Sequence, residues 1–153
     1  MIAIMIAVVI VSSDRRHRRE LAEQILERQR LKLAAAKFIQ PSQELSSELY
    51  SMHKGRSFYE GLVNYLSSMP VLVMVWEAEG VVEIVRRMLG ATFGYQAEPG
   101  TIRGDFSASK GYNLVHGSDS PESAKREIGL FFKSEEIVDY EFSDAQWLYG
   151  RND

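Results

Sequence analysis

Apolar residues run without interruption from Met1 to Val11 and then give way to Ser12, Ser13 and Asp14. A continuous Ile/Val run of this length, bounded by polar residues, predicts a central strand buried on both faces. Over residues 19 to 30, Leu21, Ala22, Ile25 and Leu26 fall on one side with arginines and glutamates opposite, the pattern of an amphipathic helix. Residues 32 to 39 form a second strand candidate, stopped by Pro41. A helix beginning near Ser42 carries Leu45, Leu49 and Tyr50, and another from about Ser57 carries Phe58, Leu62 and Tyr65 at three- and four-residue spacing. Residues 71 to 76 make the clearest buried strand. Glu77 to Gly80 then turn into a helix over residues 81 to 89, which Gly90 closes as a C-cap residue. Residues 91 to 112 are rich in Gly, Ser and Thr and read as a long loop, a feature usually functional in compact domains. Residues 113 to 116 have strand character, and Ser120-Pro121 supplies an N-cap and a first helical residue for a helix over 121 to 131.

Strands separated by helical segments, with no internal repeat, predict an α/β arrangement: an α+β sandwich with helices covering one sheet. A ferredoxin-like βαββαβ core with a four-stranded antiparallel sheet is the simplest such fold. At 153 residues, 45% of them hydrophobic, the chain suits a single domain spanning residues 1 to 153. The apolar start is too short for a membrane helix, and its positive charges (Arg15, Arg16, Arg18 and Arg19) follow the run where an export signal would have them precede it. No membrane association is therefore expected. A net charge of -3 and a pI near 5.7 argue against a surface built to hold nucleic acid. The absence of cysteine excludes disulfides, thiolate metal sites and thiol nucleophiles, and fits a reducing, cytoplasmic setting. Any chemistry must come from His, carboxylates, hydroxyls or a metal arriving with a ligand.

The richest stretch for such chemistry begins with Pro99-Gly-Thr-Ile-Arg-Gly-Asp-Phe106 and ends with Asn113-Leu-Val-His-Gly-Ser-Asp-Ser-Pro-Glu-Ser-Ala-Lys-Arg-Glu127. By residue type alone, His116 at the end of an apolar strand would more often be a hydrogen-bonded structural histidine, and Arg86 beside Arg87 more often a solvated helix face. Phe58, Leu62 and Tyr50 would suit a helix core. The two motifs together, however, resemble the nucleoside diphosphate kinases. Lys37-Phe-Ile-Gln-Pro-Ser42, Phe58-Tyr-Glu-Gly-Leu-Val63, Met74-Val-Trp-Glu77 and Met88-Leu-Gly-Ala-Thr92 extend that likeness, from about residue 20 to the C-terminus in unbroken register.

The resemblance implies the ferredoxin-like fold and transfer of the terminal phosphate of a nucleoside triphosphate onto a nucleoside diphosphate, in two steps through a phosphohistidine. It implies His116 as nucleophile, Glu127 as the acceptor that fixes the other ring nitrogen, and Ser118 as an aid to the leaving oxygen. Arg86 and Arg103 match the family's phosphate arginines, Thr92 its phosphate-binding hydroxyl, Tyr50 the phenol near the histidine, and Asn113 the ribose-contacting amide. Phe58 matches the aromatic on which the base lies and Leu62 a neighbouring wall. Mg²⁺ would enter with the nucleotide, held mainly by phosphates rather than by protein ligands. A homo-oligomer, hexamer or tetramer, is also implied, and Phe131, Phe132, Trp147 and Tyr149 are candidates to cover a neighbour.

The chain departs from the family mainly at its start. An ungapped alignment back from Lys37 sets Ile10-Val-Ser-Ser13 where these enzymes carry Lys-Pro-Asp-Gly, whose lysine reaches the transferred phosphate. Arg16 matches a common family arginine, whereas Arg19 and Glu20 replace small residues. Phe93-Gly94 stands where Asn-Pro is usual, and Tyr112 where a basic residue is frequent. Three expectations follow: an active kinase, a nucleotide-binding relative with impaired catalysis through Ile10, or a regulatory ferredoxin-like protein that would fail to bind ADP.

Overall fold

The computed structural model describes the backbone of residues 5–12 and the whole of residues 31–107, 109 and 112–141. Its sheet has four strands, β1 (Met5–Ser12), β2 (Lys32–Ile39), β3 (Val71–Ala78) and β4 (Val115–Gly117), in the order β2-β3-β1-β4 with every pair antiparallel. The helices are α1 (Gln43–Leu49), α2 (Tyr59–Ser67), α3 (Val81–Leu89), α4 (Ile102–Phe106) and α5 (Pro121–Phe131). This is the expected ferredoxin-like order, with the first and third strands central. The amphipathic pattern over residues 19 to 30 lies outside the described residues.

β3 carries the core, and its composition explains why. Val71, Val73 and Val75 pack with Leu49, Leu66, Phe131 and Phe132 on one face, while Met74 and Trp76 pack with Val82, Val85 and Leu89 on the other. Both faces are dry, so an uninterrupted apolar run is what such a strand requires. β3 extends to Ala78, two residues past the expected end, which shortens the turn into α3 to Glu79-Gly80. Gly80 begins α3 at φ 63°, in the left-handed region that glycine enters without strain.

Two further expectations need correction. The supposed loop over residues 91 to 112 contains a 3-10 turn, Gly94–Gln96, and the helix α4. The missed signal was Pro99-Gly100-Thr101: the Thr101 hydroxyl accepts the Gly104 N–H at 3.1 Å and caps α4. Phe131 and Phe132 are each 6% exposed, so they fill the chain's own core and are not surfaces for a neighbour; Trp147 and Tyr149 lie outside the described residues. Among the described residues no helix is long and apolar enough to cross a membrane.

Candidate active site

β4 brings the motif histidine to the sheet in an unusual way. Leu114, immediately before it, has φ 67°, and the Val115 N–H donates to the Asn113 carbonyl at 2.7 Å. This three-residue γ-turn forces a buried leucine into the left-handed region, a conformation that costs of order 1–3 kcal/mol and tends to mark functional sites. It separates the directions of Asn113 and His116 within a very short span. On β1, Ile10 is the Cα partner of His116, so position 10 lies directly beside the histidine in the sheet register.

Glu127 is 2% exposed and would be costly as an unpartnered carboxylate. Its Oε2 lies 3.0 Å from His116 Nε2 and accepts the Ser118 hydroxyl at 2.8 Å. Glu127 can sit there because α5 starts three residues after β4 under a two-way cap: Ser120 Oγ accepts the Ser123 N–H at 3.1 Å and Ser123 Oγ accepts the Ser120 N–H at 3.0 Å. With Nε2–H donating to the carboxylate, Nδ1 is the nitrogen with a free lone pair. Ser118, expected near the leaving oxygen, is instead 1% exposed and bound to Glu127.

The Tyr50 ring stands edge-on to the His116 ring, 5.9 Å between centroids and 87° between planes. Its phenol is pushed up to about 12, by burial first and then by the negative charge of Glu127, so it stays protonated at neutral pH. Arg126 donates to the Glu48 and Leu49 carbonyls at 3.1 and 3.0 Å, tying α5 to the end of α1 where Tyr50 sits.

Two cations face this group. Arg103 is 7% exposed, and its guanidinium donates to the Gly90 and Val115 carbonyls, each at 2.8 Å. Gly90 leaves its carbonyl available because it ends α3 at φ 83°, outside the helix. Burial, and next the like charge of Arg86, hold Arg103 down at about 10, which leaves it cationic at neutral pH. Arg86 is exposed on the last turn of α3, and Asn113 Nδ2 donates to the Thr92 carbonyl at 3.1 Å. Asp119 has its carboxyl lowered, mainly by the Ser123 hydroxyl that donates to it at 2.6 Å and further by Arg86.

These residues line one cleft of about 430 Å³. Tyr50, Phe58, Leu62, Arg86, Thr92, Arg103, Asn113, His116 and Glu127 all reach it, so nine of the ten residues singled out from the sequence converge there; Ser118 stands behind, on Glu127. Phe58 is 52% exposed, which fits a ligand platform and not a core residue. The sequence reading missed Met52, His53 and Asp119 in the lining, and noted Phe93, also there, only as a departure from the family. His53 and Met52 enter on a 3-10 turn (Ser51–His53) that shows no periodicity, whereas Asp119 was visible inside the His116 motif. A larger cavity, about 690 Å³, lies around Tyr65, Asp105 and Tyr112, and its lining holds neither histidine nor arginine.

A ferredoxin-like sheet that sets a carboxylate-oriented histidine beside two arginines and a threonine has the build of a phosphoryl-transfer enzyme. Comparisons with known proteins make this specific. The family model described as "Nucleoside diphosphate kinase" matches residues 7–137, reaching further toward the N-terminus than the sequence motifs did. A nucleoside diphosphate kinase of Carboxydothermus hydrogenoformans is 50% identical over 123 residues, covering 80% of this chain and 83% of that protein. Among solved structures, a halophilic nucleoside diphosphate kinase from Halobacterium salinarum in complex with CDP superposes with a TM-score of 0.87 at 38% identity, covering 94% of this chain and 97% of the other. A transition-state mimic of the Borrelia burgdorferi enzyme with bound vanadate and ADP gives 0.85 at 31% identity, covering 96% and 98%. The chain belongs to the nucleoside diphosphate kinase family, and its activity is that of a phosphotransferase of this kind.

Proposed function

We propose that the chain moves the terminal phosphate of a nucleoside triphosphate to a nucleoside diphosphate by a ping-pong route through a phosphohistidine at His116 Nδ1. The observation that carries this reading is the 3.0 Å contact between His116 Nε2 and Glu127, which leaves Nδ1 with its lone pair. In the first half-reaction that pair attacks the terminal phosphorus, the bond to the bridging oxygen breaks, and the nucleoside diphosphate leaves with the electron pair. Glu127 stabilises the positive charge that develops on the ring. In the second half-reaction an acceptor diphosphate reverses these events, so one site serves donor and product.

Arg86 and Arg103 neutralise the non-bridging oxygens, and the Thr92 hydroxyl and Tyr50 phenol donate to them. The anchored guanidinium of Arg103 supports this role, since a rigid donor needs little reorganisation during transfer. Asn113 uses its amide nitrogen on Thr92, which leaves its carbonyl oxygen for a ribose hydroxyl. Phe58 and Leu62 receive the nucleoside. Ser118 acts through Glu127 by holding its orientation. No group of three or more His, Asp or Glu suited to a metal occurs among the described residues, and the cleft presents arginines; a Mg²⁺ carried on the nucleotide phosphates fits this donor set, where it would share their charge.

The CDP and the vanadate–ADP bound by the two relatives belong to the same ligand class. We further infer a homo-oligomer, hexamer or tetramer, working in the cytoplasm without membrane or nucleic-acid partners; sedimentation velocity tests the assembly.

Incubation with γ-labelled ATP is expected to give an acid-labile, base-stable phosphoprotein that is absent in His116→Ala. No label at stoichiometric protein overturns the reading. One observation favours a second reading, in which the phosphohistidine forms but turns over slowly: Ile10, which aligns with the family's lysine, is the register partner of His116. Slow transfer of the label to added ADP would distinguish it.

A further inference from the structure

Phe93 has no place in the roles assigned above, yet it lines the cleft with its ring 47% exposed. Its position is strongly constrained. On one side, the Thr92 carbonyl accepts the Asn113 amide at 3.1 Å. On the other, Gly94 is buried so closely against Ser107 that a β-carbon there would fall onto the Ser107 carbonyl oxygen. The turn is closed by the Gln96 N–H donating to the Phe93 carbonyl at 2.9 Å. Absence of a side chain at 94 thus lets the Gly94–Gln96 turn lie on the backbone of residue 107, and the neighbouring rings of Phe93 and Tyr95 are left outward. They lie side by side in a tilted contact, with centroids 6.0 Å apart and planes 33° apart. Two large aromatic rings half in water, backed by each other and fixed at the backbone, suit an apolar ligand surface better than a packing role.

The cleft already has one such ring. Phe58, 52% exposed, enters from the segment between α1 and α2, its edge supported by His53 at 5.5 Å. Phe93 enters from the segment between α3 and α4, next to Thr92. Among the described lining residues it is the aromatic side chain of that wall.

We propose that Phe93 is a nucleotide-binding residue whose ring, backed by Tyr95, covers the nucleoside of the bound nucleotide from the α3–α4 wall, as a second aromatic surface beside Phe58. This rests on the reading that the cleft takes nucleoside di- and triphosphates. Because a π-face accepts any base, the contact adds affinity without restricting the substrate range, and a purine, with the larger face, gains more than a pyrimidine.

Titration calorimetry on the full chain tests it with three probes: ADP, CDP and inorganic tripolyphosphate. In Phe93→Ala the Kd for ADP is expected to rise about five- to ten-fold, with a smaller rise for CDP. Tripolyphosphate, which has no nucleoside, should bind within two-fold of the parent. Phe93→Tyr should restore ADP binding, and sedimentation should be unchanged in both variants. An unchanged Kd for ADP overturns the proposal. So does an equal loss for tripolyphosphate, since the ring would then act by placing Thr92, and so does a changed assembly state. If the parent itself binds tripolyphosphate but no ADP, both this proposal and the nucleotide reading fall; if it binds ADP and Phe93→Ala binds equally well, only this one does.

Discussion

At residue 10 the chain sets isoleucine as the strand partner of His116, the proposed nucleophile. The register of β1 pairs Ile10 with His116 on one side and with Val73 on the other, so the position that aligns with the family's lysine lies beside the proposed nucleophile. Isoleucine offers no donor to a phosphate, and removal of one preorganised donor to transition-state charge typically costs roughly a hundred- to a thousand-fold in rate. Ile10→Lys is therefore expected to raise turnover by about ten-fold or more, measured as NTP formation at saturating nucleotide. A central strand is a demanding place for a lysine, so a thermal melt should accompany the assay. A folded variant with no gain in rate would count against the role of position 10. Glu127 is satisfied twice over, by His116 and by Ser118, which explains how a carboxylate can be almost fully buried there.

Among the elements, α5 and the turn before β4 do most to place the histidine and its carboxylate. The γ-turn at Leu114 is strained, and the packing of Leu114 and Val115 against the core holds it. α5 follows almost at once and begins with the reciprocal Ser120–Ser123 cap, to which Asp119 adds its carboxylate near the helix start. Ser120→Ala removes one acceptor from the first turn and is expected to cost about 1 kcal/mol, a fall in melting temperature of about 3 °C. Differential scanning calorimetry checks this; a change under about 0.3 kcal/mol would mean that Ser123 and Asp119 suffice to cap the helix. The α5 boundaries, its cap and the β2 span were legible in the sequence, since each depends on local chemistry. α4 was not, because a five-residue helix shows too little periodicity to stand out from a Gly- and Ser-rich stretch.

For the molecule as a whole, the described segment after α5 runs along β2 at the edge of the sheet. Val138 N–H donates to the Ala34 carbonyl at 2.9 Å, Lys32 pairs with Asp139 at 3.0 Å, and Lys37 pairs with Glu136 at 2.6 Å. This gives the edge strand polar partners along its length. The Lys133 backbone N–H, and next the Lys37 ammonium, hold the Glu136 carboxyl below its ordinary 4.5. A carboxyl lowered in the folded state contributes stability that is complete above the unfolded value and disappears as pH falls through the folded one. The melting temperature of the parent should therefore exceed that of Glu136→Gln at neutral pH, with the gap closing below about pH 4. An equal gap at pH 7 and pH 3 would show that the contact does not depend on the charge.

The strands, the buried character of β3, the described helices other than α4 and the candidate site residues could be read along the chain, because periodicity, capping and motif spacing are local properties. The opposite holds for Phe131 and Phe132, whose burial depends on β2, β3 and α1 closing over them. It holds too for the nitrogen of His116 that stays free, for Ser118 turning to Glu127, and for Phe93 entering the cleft. Each of these depends on which atoms from distant segments come within about 3 to 4 Å of one another, a distance set by packing in three dimensions and not by spacing in one.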